Sequence, residues 1–299
     1  MVDVLSRRTT GLLAGFLMTA LSLTSGCDPS STPHSRAPID NGFACVTYLV
    51  EEHPEDPTPA LPTSLVDVRG PEGQARLRAC TDCVNYPDIA AKFMSQVTQS
   101  FCGVASSAIV LNASDAGRPQ RPVTAPYEPY PFYTQCNLFN PEAERGLPIE
   151  QVLHEGATLA QIRFLLEQQP TATGVACHHA GDADEGVVDH GGVADCQVAS
   201  SREQFVAEAR RALAYPGAHV IINFSRVALL HPDQNGHGHF SPLAAYHEPS
   251  DSFLVMDVAR YKYPPFWATS TQLWDAMMAV DSSSGRARGY ILVPPYEGT

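Results

Sequence analysis

The chain has 299 residues, of which 44% are hydrophobic and 17% are charged, so it can bury a sizeable core and is not intrinsically disordered. Its formal net charge of −13 argues against nucleic acids and anionic membrane surfaces as partners. Because the sequence shows no internal repeat and no second core, we expect one main folded domain over residues 61–297.

The N-terminal segment up to Cys27 has the pattern of a signal peptide. Arg7 and Arg8 precede an apolar run at residues 11–23, which is too short for a comfortable membrane span. The run leads into Leu-Thr-Ser-Gly-Cys27, which resembles a bacterial lipoprotein processing site, with ordinary cleavage as the alternative. We therefore expect an exported protein that faces the periplasm and meets a membrane only through a lipid anchor at Cys27. Residues 28–60, rich in Pro and Ser, are expected to form a tether.

The predicted elements that follow place helices first and strands afterwards. Capping signals and apolar periodicity predict helices over 73–78, from Cys102, from Thr158, from Ser200 and from Thr269. Branched and aromatic runs predict strands at 64–68, 218–224, 240–246, 253–258 and 290–293. This order indicates an α+β fold whose sheet is antiparallel.

Eight cysteines suit an exported protein in an oxidising compartment. They are Cys27, Cys45, Cys80, Cys83, Cys102, Cys136, Cys177 and Cys196. Cys27 is the candidate lipid anchor and Cys102 is the candidate nucleophile discussed below, so six cysteines remain for disulfides. Cys177 with Cys196 is the first pair we expect, because these two residues bracket one Gly- and Asp-rich stretch. The Cys80-Thr-Asp-Cys83 motif has no second CxxC, so a disulfide or another structural use is favoured over a zinc or redox site.

Residues 171–199 combine potential metal ligands with glycines. The ligand-type residues are Cys177, His178, His179, Asp182, Asp184, His190 and Cys196. A metal-binding loop is one interpretation, but the spacing fits no standard ligand set. A solvated insertion closed by a disulfide is therefore the favoured interpretation.

Cys102 is the first candidate for chemistry. It falls in the first turn of a helix rich in small and apolar residues, where free N–H groups and the helix dipole favour the nucleophilic thiolate. The amide of Gln96, six residues upstream, is of the kind that completes an oxyanion hole together with a backbone N–H. The alternative is that Cys102 is simply a buried, small apolar residue.

His239 and Asp257 supply possible partners for that thiol. A glycine-rich turn delivers His239 to a strand start, and its separation from Cys102 falls within the roughly 130–150 residues found in papain-like enzymes. The predicted hairpin then returns Asp257 to the side of His239, where a carboxylate can orient the imidazole. Two alternatives stay open: His237 and His239 as metal ligands, and Asp257 as a buried structural residue.

Three segments carry a resemblance to a known family. Residues 96–106 (QVTQSFCGVAS), 238–246 (GHFSPLAAY) and 256–265 (MDVARYKYPP) resemble phytochelatin synthase, a papain-fold glutathione γ-glutamylcysteinyltransferase. The similarity extends from about residue 60 to residue 295. It implies a papain-like fold, with a helical half bearing the cysteine and an antiparallel β half bearing the histidine and aspartate.

The resemblance also assigns roles to individual residues. It implies a catalytic triad of Cys102, His239 and Asp257, with Gln96 as the oxyanion donor. Arg260 and Arg288 lie in matching segments and are candidates for binding substrate carboxylates, with structural ion pairs as the alternative.

The implied reaction is cleavage of the Cys–Gly bond of glutathione through a γ-Glu-Cys acyl-enzyme, giving γ-glutamylcysteine or short phytochelatins. It implies no cofactor, and cadmium or zinc would enter as metal–glutathione thiolates, that is, as substrate. Because the chain stops at Thr299, it resembles the short bacterial type, in which hydrolysis is favoured. The alternatives are an exported metal- or thiol-binding lipoprotein with an inactive papain-like core, and a general endopeptidase.

Overall fold

The computed structural model describes residues 60–114, 121–124, 127–181, 192–230 and 238–295. Several features predicted from the sequence lie outside these residues: the signal segment with Cys27, the tether up to residue 59, Cys45, His237, and the loop residues Asp182, Asp184 and His190. Within the described part of the chain, no helix is both long enough and apolar enough to cross a membrane.

The described residues form nine α-helices and ten strands. The helices are α1 (Pro71–Arg78), α2 (Tyr86–Lys92), α3 (Cys102–Ala113), α4 (Pro141–Gly146), α5 (Ile149–Glu155), α6 (Leu159–Glu167), α7 (Arg202–Ala214), α8 (Arg226–Leu229) and α9 (Ser270–Met278). The strands are β1 (Val66–Asp67), β2 (Ala176–Ala180), β3 (Gln197–Ala199), β4 (His219–Ser225), β5 (Gly238–His247), β6 (Ser252–Val255), β7 (Phe266–Thr269), β8 (Val280–Asp281), β9 (Arg286–Ala287) and β10 (Gly289–Val293). The α+β class predicted from the sequence is confirmed.

Eight strands form one sheet in the order β1-β7-β6-β5-β4-β10-β2-β3, and β8 pairs with β9 separately. All neighbours in the large sheet are antiparallel except β2 and β3, which are parallel, so the prediction of a purely antiparallel sheet is wrong at this edge. The Cys177–Cys196 disulfide explains the difference. Because it ties the start of β2 to the residue before β3, the two strands run in the same direction.

The sheet separates two apolar cores, and the cysteine helix lies in one of them. All twelve residues of α3 are buried, as its small and apolar composition predicts. Gly103 lies where a Cβ atom would be 2.5 Å from the Ile162 side chain of α6 and 3.3 Å from Phe240 of β5. This close approach sets the first turn of α3 directly against the strand that carries His239.

The helix caps follow the local sequence. Thr158 and Thr269 each form a complete capping box, and Ser201 caps α7 by accepting a hydrogen bond from the N–H of Gln204. Each cap provides an oxygen acceptor for first-turn N–H groups that the helix cannot satisfy. The starts of these helices are therefore set by short-range sequence.

The disulfides agree with the cysteine analysis. Cys80 is bonded to Cys83, and Cys177 to Cys196, which confirms the pair expected first. Cys136 is also disulfide-bonded. Among the described cysteines, Cys102 is the one free thiol, and it is buried.

Candidate active site

The site is built where the first turn of α3 meets the strand β5. Cys102 is the first residue of the helix, only 7% exposed, and its thiol interacts with the ring of His239 and with the backbone of Phe240. The sulfur therefore faces both the positive end of the helix dipole and an imidazole. Both features favour the thiolate.

His239 and Asp257 are brought together by the hairpin of β5 and β6. His239 is the second residue of β5, and its Nε2 lies 2.8 Å from Oδ1 of the fully buried Asp257. Asp257 lies two residues beyond β6, not on the strand as predicted, because the strand ends at Val255. Outside the ladder its carboxylate is free to accept the N–H of Ala259 at 2.8 Å, which fixes its orientation.

These contacts shift the pKa values of all three groups. Burial by itself raises the pKa of the Cys102 thiol, but the hydrogen bond and charge of His239 outweigh it, so the pKa lies below its ordinary value. Burial and the charge of Arg226 lower the pKa of His239, whereas Asp257 and Cys102 raise it, with a net increase. Burial also raises the pKa of Asp257, yet the charges of His239 and Arg226 bring it to about 2. The arrangement therefore favours a thiolate, an imidazolium and a carboxylate in series.

Arg226 is a member of the site that the sequence analysis missed. Its Nη2 lies 3.1 Å from Oδ1 and 3.3 Å from Oδ2 of Asp257, and 2.8 Å from Nε2 of His239. Its guanidinium also lies over the ring of Tyr263, 5.2 Å from the ring centre. Arg226 starts the short helix after β4, and Phe224 pairs with His239 in the ladder, so this position is adjacent to His239 only through the strand register. The spacing of residues in the sequence does not predict which residues of β4 and β5 pair with each other.

The amide of Gln96 is held by Thr98 and Tyr261. Its Nε2 donates to the carbonyl of Thr98 at 2.7 Å and to the hydroxyl of Tyr261 at 3.2 Å. Its buried Oε1 has no hydrogen-bond partner among the described residues. Burial chiefly raises the pKa of Tyr261, the charge of Arg226 opposes this, and the charges of Asp257 and Cys102 add to the increase. Tyr261 is a second residue that the sequence analysis missed.

The two predicted carboxylate-binding arginines have different surroundings. Arg288 is 8% exposed, with Nη1 3.3 Å from Oδ1 of Asn223 and Nη2 3.5 Å from Asp281, while its Nε has no partner within the described chain. Burial lowers the pKa of Arg288, and the charges of Asp281 and Cys102 oppose this. Arg260 is exposed and lies over the ring of Phe93, 4.8 Å from its centre. Of the two, Arg288 is the buried one.

The remaining metal interpretations concern His237 and the 177–196 segment. His237 is outside the described residues, so its suggested pairing with His239 stays a hypothesis, whereas His239 itself is engaged by Cys102 and Asp257. His178 stacks on Tyr290 with ring centres 5.2 Å apart. In the described part of the segment, both cysteines are joined in the disulfide.

A buried thiol, an imidazole and a carboxylate in series on an α+β fold define a site of the cysteine–histidine–aspartate type. Residues 57–290 match the sequence model of the family described as phytochelatin synthase. The chain belongs to the phytochelatin synthase family, as the resemblance predicted.

Several similar proteins are named glutathione gamma-glutamylcysteinyltransferase. The wheat (Triticum aestivum) protein named glutathione gamma-glutamylcysteinyltransferase 1 is 32% identical over 209 residues, which cover 69% of this chain and 35% of the relative. The Arabidopsis thaliana protein named glutathione gamma-glutamylcysteinyltransferase 2 is 30% identical over 67% of this chain and 38% of its own length. The Schizosaccharomyces pombe glutathione gamma-glutamylcysteinyltransferase is 26% identical over 71% of this chain and 44% of its own length. The matched region thus spans less than half of each of these relatives.

Proposed function

We propose that the protein is a thiol-dependent glutathione γ-glutamylcysteinyltransferase and hydrolase with a papain-like fold. The observation that carries the proposal is the buried Cys102 thiol, whose pKa is lowered by its contact with His239, in a chain of this family. The names of the relatives support glutathione as the substrate. A buried helix bearing the cysteine and antiparallel strands leading to His239 and Asp257 support the papain-like assignment.

The reaction begins when the Cys102 thiolate attacks the carbonyl carbon of the Cys–Gly peptide bond. The backbone N–H of Cys102 and the amide of Gln96 stabilise the oxyanion, which requires the Gln96 amide to turn from its contact with Thr98 toward the substrate. His239, oriented by Asp257, protonates the amine of the departing glycine. The product of this step is a γ-Glu-Cys thioester on Cys102.

The thioester has two possible acceptors. His239, now neutral, removes a proton from water to release γ-glutamylcysteine, or from the amine of a second glutathione to release a short phytochelatin. Arg288 is the favoured residue for a substrate carboxylate, because an Arg fork binds a carboxylate bidentately. Arg260 is a more peripheral candidate. No cofactor enters either route, and cadmium or zinc participates as a metal–glutathione thiolate.

The activity is tested by incubating the purified full-length chain with glutathione, with and without cadmium, and analysing the products by mass spectrometry. We expect glycine and γ-glutamylcysteine from the wild type, and loss of both products in Cys102→Ala and in His239→Gln. His154→Gln, which changes an exposed histidine, is the matched control and should retain activity. If wild type and Cys102→Ala are equally inactive while metal binding persists, the protein is a binding lipoprotein and the enzyme proposal is wrong. Cleavage of peptides that lack a γ-glutamyl group would indicate a general endopeptidase instead.

We also propose export and lipidation at Cys27, facing the periplasm, on the basis of the N-terminal sequence. Labelling of cells with a radioactive fatty acid should mark the wild type but not Cys27→Ala. Equal labelling of both proteins would contradict lipidation at this residue.

A further inference from the structure

Four potential metal ligands meet at the β2 and β3 edge of the sheet, on residues that the proposed reaction does not use. We call this group the edge cluster; it consists of Cys177, His179, Asp195 and Cys196. One ligand atom each from His179, Asp195 and Cys196 lies within 4.8 Å of the others, and the sulfur of Cys177 is bonded to that of Cys196. Three of the four ligand atoms therefore lie around one small volume, and the Cys177 sulfur adjoins it through its bond to Cys196.

The backbone makes this juxtaposition. Cys177 and His179 are two residues apart on β2, so their side chains lie on the same face of the strand. The parallel pairing sets His178 opposite Gln197, which brings Asp195 and Cys196 beside the start of β2. Cys177 and His179 thus lie on β2, and Asp195 and Cys196 directly precede β3, the edge strand of the sheet.

The hydrogen bonds of His179 orient it as a ligand. Its Nδ1 lies 2.6 Å from the carbonyl oxygen of Ala287, an acceptor, so Nδ1 carries a proton. Its Nε2 lies 2.9 Å from Oδ1 of Asp195. With Nδ1 turned to the carbonyl, Nε2 is the ring nitrogen that faces the carboxylate and the cluster. Metal-binding histidines characteristically donate their other N–H to a backbone carbonyl, as His179 does.

Arg286, which is not a member of the edge cluster, orients the Asp195 carboxylate. Its Oδ2 is paired with Arg286, at 2.9 Å to Nη2 and 3.1 Å to Nε, while Oδ1 faces His179 and accepts the backbone N–H of Cys196 at 2.8 Å. Arg286 can therefore keep its ion pair while Oδ1 serves as a ligand. Asp195 is exposed and Cys196 is partly exposed, whereas Cys177 and His179 are buried, so solvent reaches the cluster on its Asp195–Cys196 side.

We propose that reduction of the Cys177–Cys196 disulfide converts the edge cluster into a binding site for a zinc-group divalent cation, zinc or cadmium. The reductant is a low-molecular-weight thiol: two thiol molecules become one disulfide, and Cys177 and Cys196 become thiols. The incoming cation displaces the two thiol protons and is bound by two thiolates, Nε2 of His179 and Oδ1 of Asp195, a donor set that suits tetrahedral zinc. In the oxidised protein the sulfurs are bonded to each other and are not thiolate ligands. The site shares no residue with the Cys102 site and does not depend on the proposed transferase activity.

The test uses the full-length chain with Cys102→Ala, which removes the active-site thiol. The protein is reduced with excess thiol, desalted without oxygen and titrated with cadmium alone, and the cadmium–thiolate absorption in the ultraviolet reports binding. We expect this absorption after reduction and none before it, with one ion per chain more than in the variant that also carries Cys177→Ser/Cys196→Ser. Reoxidation should release the ion.

Variants in the same background locate the ion. We expect His179→Gln to weaken binding of the edge-cluster ion by at least about 10- to 100-fold, the range for loss of a partner of a ligand, and Cys177→Ser/Cys196→Ser to remove that ion. Cys80→Ser/Cys83→Ser, which removes another reducible pair, and His178→Gln, which changes the neighbouring histidine, are matched controls and should retain that ion. Equal binding by oxidised and reduced protein, or no binding after reduction, overturns the proposal. Should the double serine variant fail to fold by circular dichroism, His179→Gln keeps both cysteines, and unchanged affinity there also overturns it.

Discussion

His239 and Asp257 are joined by a hydrogen bond of 2.8 Å between Nε2 and Oδ1, although 18 residues and a strand turn separate them in the sequence. Asp257 is fully buried, and besides His239 its carboxylate contacts Arg226 and the N–H of Ala259. A buried charge is stable only when it is paired in this way. The pair therefore fixes the imidazole and raises the pKa of His239, which in turn stabilises the Cys102 thiolate.

Asp257→Asn tests the carboxylate's charge with little change in shape. Because Asp257 raises the pKa of His239, its neutralisation should lower that pKa and, through a less charged imidazole, raise the pKa of Cys102. The pH range in which thiolate and imidazolium coexist should narrow from both sides. Each unit of increase in the thiol pKa costs about tenfold in thiolate at a pH below it. Iodoacetamide alkylation of Cys102 as a function of pH measures this, and an unchanged profile would contradict it.

Arg226→Gln should give a different pH profile. The charge of Arg226 lowers the pKa values of both Cys102 and His239, so its removal should raise both, and the thiolate–imidazolium range should move to higher pH without narrowing. The same alkylation measurement applies. Arg226→Lys keeps the positive charge and is the control, with a smaller displacement expected. A profile that narrows as in Asp257→Asn would show that Arg226 acts by orienting Asp257.

Gln96→Ala tests the oxyanion role. If the amide acts only when negative charge develops on the substrate, kcat should fall by about 100- to 1,000-fold with little change in KM. Tyr261→Phe removes one of the two hydrogen bonds that hold the amide and should have a smaller effect. Steady-state kinetics with glutathione separates the two parameters. A variant in which only KM rises would assign Gln96 to substrate binding.

Substitution of Arg288 and substitution of Arg260 should differ in their effect on the KM for glutathione. Arg288→Lys should raise KM for glutathione by about tenfold or more, because a lysine cannot reproduce a bidentate contact in a buried position. Arg260→Lys is the matched comparison and should change KM little, since Arg260 is exposed and stacked on Phe93. The reverse order of effects would assign carboxylate binding to Arg260.

His219 should make the fold sensitive to acid. It is 1% exposed, neither ring nitrogen has a partner among the described residues, and burial lowers its pKa to about 4 from 6.5. Below pH 6.5 the unfolded chain takes up a proton that the folded chain does not, so stability is lost as the pH falls, by about 3 kcal/mol near pH 4.

Urea unfolding at several pH values should therefore show that His219→Leu loses less stability than the wild type on acidification. The control is His154→Gln, an exposed histidine, which should follow the wild type. Parallel pH dependences for wild type and His219→Leu would show that this histidine is not the cause.

Features that depend on short-range chemistry are predictable from the amino-acid sequence alone. The caps at Thr158 and Thr269, the burial of α3 and the hairpin between β5 and β6 all follow from residues close together in the chain, and the structure reproduces them. The motifs also indicated Cys102, His239 and Asp257 as candidate catalytic residues, and the fold brings these three side chains together.

The positions of groups whose neighbours depend on strand register follow from the folded structure and not from local sequence. Arg226 reaches the His239–Asp257 pair because β4 is aligned with β5 in one register, and a shift of one residue would turn the side chains of β4 to the opposite face. The parallel β2–β3 edge, with His179 beside Asp195, likewise depends on a pairing that periodicity does not encode. The physical reason is that backbone hydrogen bonds form equally well in many registers, and the packing of both sheet faces selects one of them.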